Sequence, residues 1–264
     1  MTFRIIADDY GLSPGVSEAI RTLLDAGRLS GTSCMTIFPD WPEQAARLAP
    51  GSCAGLHLTL TDQPALTGAS RLAPEGRLPA LGGLVTGLAA RRMAEADVHD
   101  ELDAQHARFV AELGRRPDFF DGHQHVHFLP AVRRWLKMRF ERDGEVAGRF
   151  VRAAPGLALG LGTAARKQAV IAALAGGFDA AMRRARVPLS GPLTGIYDWR
   201  ARQAFAGVLS NAVARGGPQL FMCHPGFPDE VLAGRDPFLA QRKVEYDALM
   251  ASKAVVGALG AGAA

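Results

Sequence analysis

The chain has 264 residues, of which 48% are hydrophobic and 21% are charged, and its formal net charge is only +4. This length is enough for one large α/β domain or two small ones. No uninterrupted apolar run reaches the length of a transmembrane helix, and no basic stripe is interleaved with aromatic residues. The composition therefore argues against a membrane-spanning protein and against a nucleic-acid-binding protein.

The first 60 residues alternate predicted strands and helices. Residues 3–7 and 53–60 predict buried strands, and Ser13-Pro14 predicts the start of a helix. This alternation is typical of a parallel sheet with crossover helices. Residues 62–93 are rich in proline and glycine and predict a lid-like loop with at most a short helix.

Three histidines lie at alternate positions in the middle of the chain, directly after a predicted strand at residues 118–120. They belong to the run Asp121-Gly122-His123-Gln124-His125-Val126-His127. If the strand continued through this run, the three imidazoles would share one face. Histidines in such register favour a metal or catalytic site over a hydrogen-bonded strand end.

The second half of the chain predicts shorter elements. A short strand contains Arg152, whose side chain could face the site, and residues 156–187 predict a helical insertion. A strand is predicted near Gly195–Tyr197, and a buried strand ends at His224. The Gly/Ala-rich segment 254–264 is expected to be a flexible tail. No linker divides the chain, so a single domain over residues 1–264 is expected.

The cysteines bear on the compartment. They are odd in number and all lie in apolar runs: Cys34, Cys53 and Cys223. Buried reduced thiols fit this pattern better than a disulfide framework does. The N-terminal residues enter a predicted strand without a signal-peptide pattern. A cytoplasmic location is therefore expected, and a homodimer is expected because such assemblies are frequent.

Polar side chains with metal-binding capacity recur at the carboxyl ends of the predicted strands. They are Asp8, Asp9, His57, the run His123–His127, and His224. In α/β barrels and open α/β sheets the active site lies at that end. A parallel arrangement would therefore gather these distant residues at one mouth.

The residue types indicate metal-assisted hydrolysis. One carboxylate with two neutral imidazoles suits Zn²⁺ or another divalent transition metal. A second carboxylate can take a proton from water, and a separate histidine can protonate a leaving amine. Consecutive side chains diverge, so the adjacent Asp8 and Asp9 are expected to divide into one ligand and one base.

Four ordered motifs carry a resemblance to a known family. They are Ala7-Asp8-Asp9-Tyr10-Gly11-Leu12-Ser13, Gly55-Leu56-His57-Leu58, the histidine run with Pro130, and Cys223-His224-Pro225. The chain resembles the YdjC-like carbohydrate deacetylases over roughly residues 3 to 250. This resemblance implies a distorted TIM-like (β/α) barrel with about seven mostly parallel strands. It also implies one divalent metal ion and hydrolysis of an N-acetyl group from a sugar.

The resemblance also assigns roles to individual residues. It implies that Asp9, His57 and His123 bind the metal, that Asp8 is the general base and that His224 is the general acid. The residues expected to contact the ligands or the substrate are His125, His127, Asp121 and Arg152. The family often has histidine where this chain has Gln124, so Gln124 is not expected to be essential. Two imidazole ligands favour Zn²⁺ over Mg²⁺, although Mg²⁺ or another divalent ion stays open.

Two other functions remain open at this level. A metal-dependent phosphoesterase on a similar barrel would need two metals and more carboxylate ligands than the strand ends offer. A non-catalytic metal-dependent sugar-binding protein would need neither Asp8 nor His224, both of which are present. The acetylated sugar itself is not identified: an oligosaccharide, a glycolipid headgroup or a nucleotide- or lipid-linked intermediate would each fit.

Overall fold

The computed structural model describes residues 3–144, 148–156, 165–201 and 203–260. Its seven strands form one sheet in the order β5-β4-β3-β2-β1-β7-β6, and each pair of neighbouring strands is parallel. The strands are β1 (Arg4–Tyr10), β2 (Gly31–Cys34), β3 (Ala54–Leu58), β4 (Phe119–Gly122), β5 (Phe150–Val151), β6 (Leu193–Thr194) and β7 (Leu220–Cys223).

The two ends of this sheet meet. Val151 forms a parallel bridge with Leu189, and Pro155 forms one with Leu193, which belongs to β6. The N–H of Leu193 also donates to the carbonyl of Ala154 over 3.1 Å. The segment that leads into β6 therefore joins β5 to β7, and the sheet returns on itself. The expected TIM-like barrel with about seven mostly parallel strands is confirmed.

Helices connect most of the strands, as crossovers between parallel strands require. They are α1 (Pro14–Asp25), α2 (Trp41–Ala46), α3 (Leu81–Ala89), α4 (Glu95–Leu113), α5 (Pro130–Asp143), α6 (Ala165–Leu174), α7 (Phe178–Arg184), α8 (Ala204–Arg215), α9 (Glu230–Ala233), α10 (Leu239–Ala251) and α11 (Lys253–Gly260). A 3₁₀ helix, His123–Phe128, lies between β4 and α5. In the described part of the chain, no helix is long and apolar enough to cross a membrane.

The first strand runs further than the sequence predicts, and this places two acidic residues inside it. Asp8 and Asp9 lie within β1, which pairs with β2 in a register that shifts between Ala7 and Tyr10. Asp9 has a φ of 70°, in the left-handed region. Bulges of this kind redirect side chains and are common beside active sites. Here the irregularity lets two consecutive carboxylates enter the interior, where both are 1% exposed.

The glycine in the Gly-x-His motif has a packing role. A Cβ on Gly55 would lie 2.3 Å from the ring of Phe119 on the adjacent strand β4. The Phe119 ring in turn stacks on Phe150 of β5 with centroids 5.0 Å apart. Glycine therefore lets β3 and β4 approach closely two residues before His57, and this close approach helps to fix the height of His57 in the barrel.

Two predictions about the second half of the chain need correction, and a third lies partly outside the described residues. The strand predicted near Gly195–Tyr197 lies two residues earlier, at β6, because Leu193 is the residue that pairs with β7. The expected flexible tail begins with α11, since the fully buried Val255 anchors that helix. The helical insertion appears as α6 and α7, and its residues 157–164 lie outside the described part, as do residues 261–264 of the tail.

The three cysteines are free thiols, as expected. Cys34 and Cys223 are buried in β2 and β7, and Cys53 is half-buried just before β3. Burial raises the pKa of the Cys53 thiol to about 11, so this thiol stays protonated and unreactive near neutral pH.

Candidate metal centre and active site

The carboxyl ends of four strands meet at one mouth of the barrel and bring together residues far apart in sequence. β1 supplies Asp8 and Asp9, and β3 supplies His57. His123 follows β4 directly, and His224 follows β7 directly. The five residues that the sequence singled out for catalysis and metal binding are therefore neighbours in space, as the parallel topology predicts.

Asp9, His57 and His123 form a compact group of potential metal ligands. One oxygen of Asp9, Oδ1, lies 3.3 Å from His57 Nε2 and 3.3 Å from His123 Nδ1. One ligand atom from each residue lies within 4.8 Å of the other two. Asp9 Oδ1 is buried, yet it accepts no hydrogen bond from any described residue. An orphaned buried carboxylate oxygen facing two imidazole nitrogens is the arrangement that a divalent cation would complete.

The second oxygen of Asp9 is held by an arginine that the sequence did not single out. Arg242 of α10 donates from Nη2 to Asp9 Oδ2 over 2.7 Å, and its Nε donates to Asp236 over 2.9 Å. Burial alone would raise the pKa of Asp9, but Arg242 and the two imidazoles hold that pKa well below its usual value. Asp9 is therefore ionised and offers a single free oxygen.

The contacts of the Nδ1 nitrogen orient the ring of His57. Its Nδ1 lies 2.8 Å from Asp121 Oδ1 and 3.1 Å from the hydroxyl of Ser33, which itself donates to Asp121. A carboxylate behind a ligating histidine fixes the tautomer and turns Nε2 towards the metal. Burial alone would lower the pKa of His57, but Asp121 and Asp8 raise it to about 10. A cation at this site would displace that proton, because ligation needs the neutral nitrogen.

Asp8 is held by a different arginine. The buried Arg152, just after β5, donates from Nη1 to Asp8 Oδ2 over 2.8 Å and from Nη2 to Asp8 Oδ1, and it also pairs with Asp121. Burial raises the pKa of Asp8, and this effect outweighs the opposing influence of Arg152. A carboxylate with a raised pKa accepts protons more readily, which suits a general base. Arg152 thus reaches the site, where it contacts carboxylates.

His224 stands beside Asp8. Its Nε2 lies 3.8 Å from Asp8 Oδ2, and its backbone N–H donates to Glu245 of α10 over 2.5 Å. The indole ring of Trp199 packs against the imidazole, with ring centroids 4.7 Å apart. A proton acceptor and a potential proton donor therefore lie side by side next to the candidate metal ligands.

The histidine run does not continue as a strand. β4 ends at Gly122, and the 3₁₀ helix that follows contains Gln124 and His125 with φ values of 49° and 61°. This tight turn leaves only His123 in the ligand group. The fully buried His127 packs on Phe128 with centroids 4.0 Å apart, and burial holds its pKa well below the usual histidine value. A shared face for the three imidazoles was the wrong premise, because a left-handed turn breaks the alternation.

A second group of potential ligands is less suited to a cation. Asp8, His57 and Asp121 also offer atoms within 4.8 Å of one another. However, Asp8 and Asp121 both bind the guanidinium of Arg152. Because this guanidinium already neutralises the pair, the group of Asp9, His57 and His123 fits a divalent ion better.

Sequence reasoning missed three residues that hold the site: Ser33, Arg242 and Glu245. Arg242 and Glu245 are three residues apart on α10, so they share one face of that helix, and both are at most 1% exposed. The sequence did contain a signal for them. Arg242 and Glu245 lie on the same face of α10 as the buried Leu249, which is four residues after Glu245. Charged residues in an apolar stripe are buried only when they are paired.

Comparison with known proteins gives a consistent match. The family model described as "YdjC-like protein" matches residues 4–256. The chitooligosaccharide deacetylase of Serratia marcescens is 30% identical over 260 residues, which cover 93% of this chain and 89% of that protein. The carbohydrate deacetylase of Mus musculus is 39% identical over 135 residues, which cover 48% of this chain and only 43% of that protein. The chain thus matches less than half the length of this mouse relative.

A solved structure supports the fold. A crystal structure from Enterococcus faecalis V583, of a protein described as a candidate for cellobiose-phosphate cleavage, superposes with a TM-score of 0.70. It covers 98% of this chain and 94% of the other chain at 21% sequence identity. At this identity the similarity concerns the barrel itself.

Proposed function

This chain belongs to the YdjC-like protein family, and from that membership we propose that it hydrolyses the N-acetyl group of an acetylated sugar. The membership inferred from the four sequence motifs is confirmed by the family match over residues 4–256. The relatives' names describe deacetylases that act on carbohydrates and chitooligosaccharides. The proposed reaction is hydrolysis of a linear amide C–N bond, with acetate and an amino sugar as products.

One observation carries the proposal. The buried Asp9 Oδ1 faces His57 and His123 at 3.3 Å, and the pair of Asp8 and His224 lies directly beside this group. A binding protein has no need of a base and an acid next to its ligand group. Amide hydrolysis needs both, because water must lose a proton and the departing nitrogen must gain one.

The proposed metal-binding residues are Asp9, His57 and His123, and the two imidazoles favour Zn²⁺ over Mg²⁺. A divalent ion held there supplies Lewis acidity, which acidifies water and polarises an amide carbonyl. The surrounding residues keep the three proposed ligands in place. Arg242 leaves one oxygen of Asp9 free, and Asp121 with Ser33 turns the Nε2 atom of His57 towards that oxygen.

Asp8 and His224 carry out the proton transfers in this proposal. Asp8 accepts a proton from the attacking water, and Arg152 holds its carboxylate in a fixed orientation through both oxygens. His224 donates a proton to the sugar nitrogen as the C–N bond breaks, since an amide anion is too basic to leave. Its backbone is anchored by Glu245. One water molecule is consumed for each acetate released.

Metal removal and reconstitution provide the test. Protein dialysed against a chelator should release no acetate from N-acetylglucosamine or its β-1,4-linked oligomers, and one equivalent of Zn²⁺ per chain should restore release. Mg²⁺ and Co²⁺ added in parallel would identify the preferred ion. Full acetate release after exhaustive chelation would contradict the proposal. Phosphate release from phosphoesters with two metals per chain would support a phosphoesterase instead.

The assembly and the compartment are also proposed. A homodimer in the cytoplasm stays a prediction for this chain. Light scattering on the purified protein would test the dimer, because the measured mass should be twice the 28.0 kDa of one chain. Fractionation of the producing cells would test the compartment.

A further inference from the structure

An exposed aromatic side chain lies near the mouth of the barrel. Four large hydrophobic side chains are exposed within the described ranges, namely Val170, Val231, Phe238 and Val256. Phe238 is the aromatic member of this set, and 44% of it is exposed. It immediately precedes α10, the helix that carries Arg242 and Glu245.

Phe238 is one end of a row of rings that leads into the site. Its ring meets Trp199 edge to face with centroids 4.9 Å apart, and Trp199 meets His224 with centroids 4.7 Å apart. His224 is 3.8 Å from Asp8. The exposed aromatic surface is therefore continuous with the proposed proton donor.

The row is fixed by its surroundings. The guanidinium of Arg242 lies 5.8 Å from the centre of the Trp199 ring, and the same guanidinium binds Asp9. The backbone N–H of Phe238 donates to Asp236, which also accepts from Arg242. These contacts therefore fix the positions of Trp199 and Phe238 relative to Asp9 and the two imidazoles beside it.

We propose that Trp199 and Phe238 form an aromatic stacking surface for the pyranose rings of the substrate. This inference rests on the proposed deacetylation, because it names the part of the protein that binds the sugar. A pyranose presents a face of C–H groups that packs on an aromatic ring while its hydroxyls stay hydrated. Stacking of this kind gives affinity without a buried polar contact, and it gains from rings that are already fixed in place.

The position of the row identifies which part of the substrate it meets. His224 delivers a proton to the nitrogen, so groups beside His224 face the sugar that keeps this nitrogen. The acetyl group lies on the other side, towards Asp9 and its imidazole neighbours. Trp199 therefore contacts the ring that bears the acetamido group, and Phe238 extends the surface away from the reaction centre. The row contributes to recognition of the sugar and takes no part in the proton transfers.

Binding can be measured without turnover. The chain has three tryptophans, and Trp41 and Trp135 are buried in the core at 0% and 2% exposure. Trp199 is half-buried beside the site, so it is the tryptophan whose fluorescence a bound sugar should change. The probe is N,N′-diacetylchitobiose titrated into the zinc-loaded Asp8→Asn protein, which retains the ligand group and is expected to turn over too slowly to consume it.

Phe238→Ala in this background should weaken binding of the disaccharide by about tenfold, the lower end of what loss of an aromatic side chain costs a stacked nucleic-acid base. Phe238→Tyr keeps the ring and should bind as the parent does. Val231→Ala is the matched control, because it removes another exposed apolar side chain without touching the row. Trp199→Phe removes the reporting tryptophan, so it should abolish the fluorescence change. The affinity of this variant for the disaccharide is measured by calorimetry.

The outcomes separate this inference from the proposed function. If Phe238→Ala binds the disaccharide as tightly as its parent and as Val231→Ala, the stacking surface is wrong, whether or not acetate is released. If affinity falls in Phe238→Ala and recovers in Phe238→Tyr, the stacking surface stands even if the wild-type protein releases no acetate. A merely structural role would also lower the unfolding temperature of Phe238→Ala, and the surface is rejected if the loss of affinity tracks that change.

Discussion

Asp8 and Asp9 are adjacent in one strand and equally buried, yet their surroundings differ in almost every respect. Both oxygens of Asp8 are held by Arg152, and burial raises its pKa. Asp9 shares one oxygen with Arg242 and leaves the other to face two imidazoles, and its pKa is lowered. A single step along a strand directs the next side chain to another set of neighbours. The comparison teaches that partners can suit chemically identical groups to separate tasks, here the proposed base Asp8 and the proposed metal ligand Asp9.

Replacing each aspartate should separate the two tasks with the largest effects. Asp9→Asn removes the charge of a proposed metal ligand, so both bound metal and acetate release should be lost. Asp8→Asn leaves the ligand group intact, so metal content should stay at the wild-type level while turnover falls by roughly 10²–10⁴, the usual worth of a general base. Metal analysis after gel filtration, together with an acetate assay, measures both. Equal metal loss in the two variants would contradict the division.

The two arginines extend the comparison. Lysine keeps the charge of arginine but loses the planar fork that binds two oxygens. Arg242→Lys should weaken metal affinity by about tenfold through a poorly oriented Asp9, with competition against a chelating dye as the measurement. Arg152→Lys should leave metal affinity unchanged and lower turnover, since Asp8 loses its fixed orientation. Lys243→Met, a change of an exposed cation next to Arg242, is the matched control.

The pH dependence tests the raised pKa of Asp8. A general base must be ionised, so turnover should fall about tenfold per pH unit once the pH drops below its pKa. Because burial raises the pKa of Asp8, this fall should begin at a higher pH than the ordinary aspartate value of 3.8 would give. Initial rates from pH 4 to 8 on fully metal-loaded protein measure it. Rates that stay level down to pH 4 would show that Asp8 is not the base.

The stability of the fold should also depend on pH, and this dependence has to be measured separately from the pH profile of turnover. Burial lowers the pKa of His106 on α4 to about 4, from an unfolded value near 6.5. Between these values the unfolded chain binds more protons, so stability should fall as the pH drops from 6.5 and level off below about 4. The difference between these two pKa values corresponds to a loss of about 3 kcal/mol. Urea unfolding at several pH values measures it, and His106→Phe should flatten the slope.

Much of the site was predictable because its residues mark strand ends. Asp8, Asp9, His57, His123 and His224 each follow or end an apolar run, and parallel strands bring such ends together. The parallel sheet followed from the alternation of strands and helices, and its closure into a barrel was implied by the resemblance to the family. What such reasoning could not supply was the orientation of each side chain, which depends on the bulge in β1 and on the turn after Gly122.

Residues on other elements that support the site could not be predicted from the sequence, and the reason is physical. Arg242 and Glu245 lie on a helix, where nothing in the local pattern says which strand end the helix will cover. Arg152 was placed near the site because a short strand was predicted to contain it, but its partners were not predictable. Its contact with Asp121 joins the ends of the paired strands β4 and β5, and its contact with Asp8 joins residues more than 140 positions apart across the barrel.

The backbone at Asp9 has a consequence for how this centre can change. With a φ of 70°, residue 9 occupies a conformation that aspartate and asparagine tolerate and that most other side chains adopt only at a cost of about 1 kcal/mol or more. Glutamate or cysteine at this position would bear that cost and would also displace the proposed ligand atom. Attempts to re-engineer the metal preference by exchanging ligands should therefore succeed more readily at residues 57 and 123 than at residue 9.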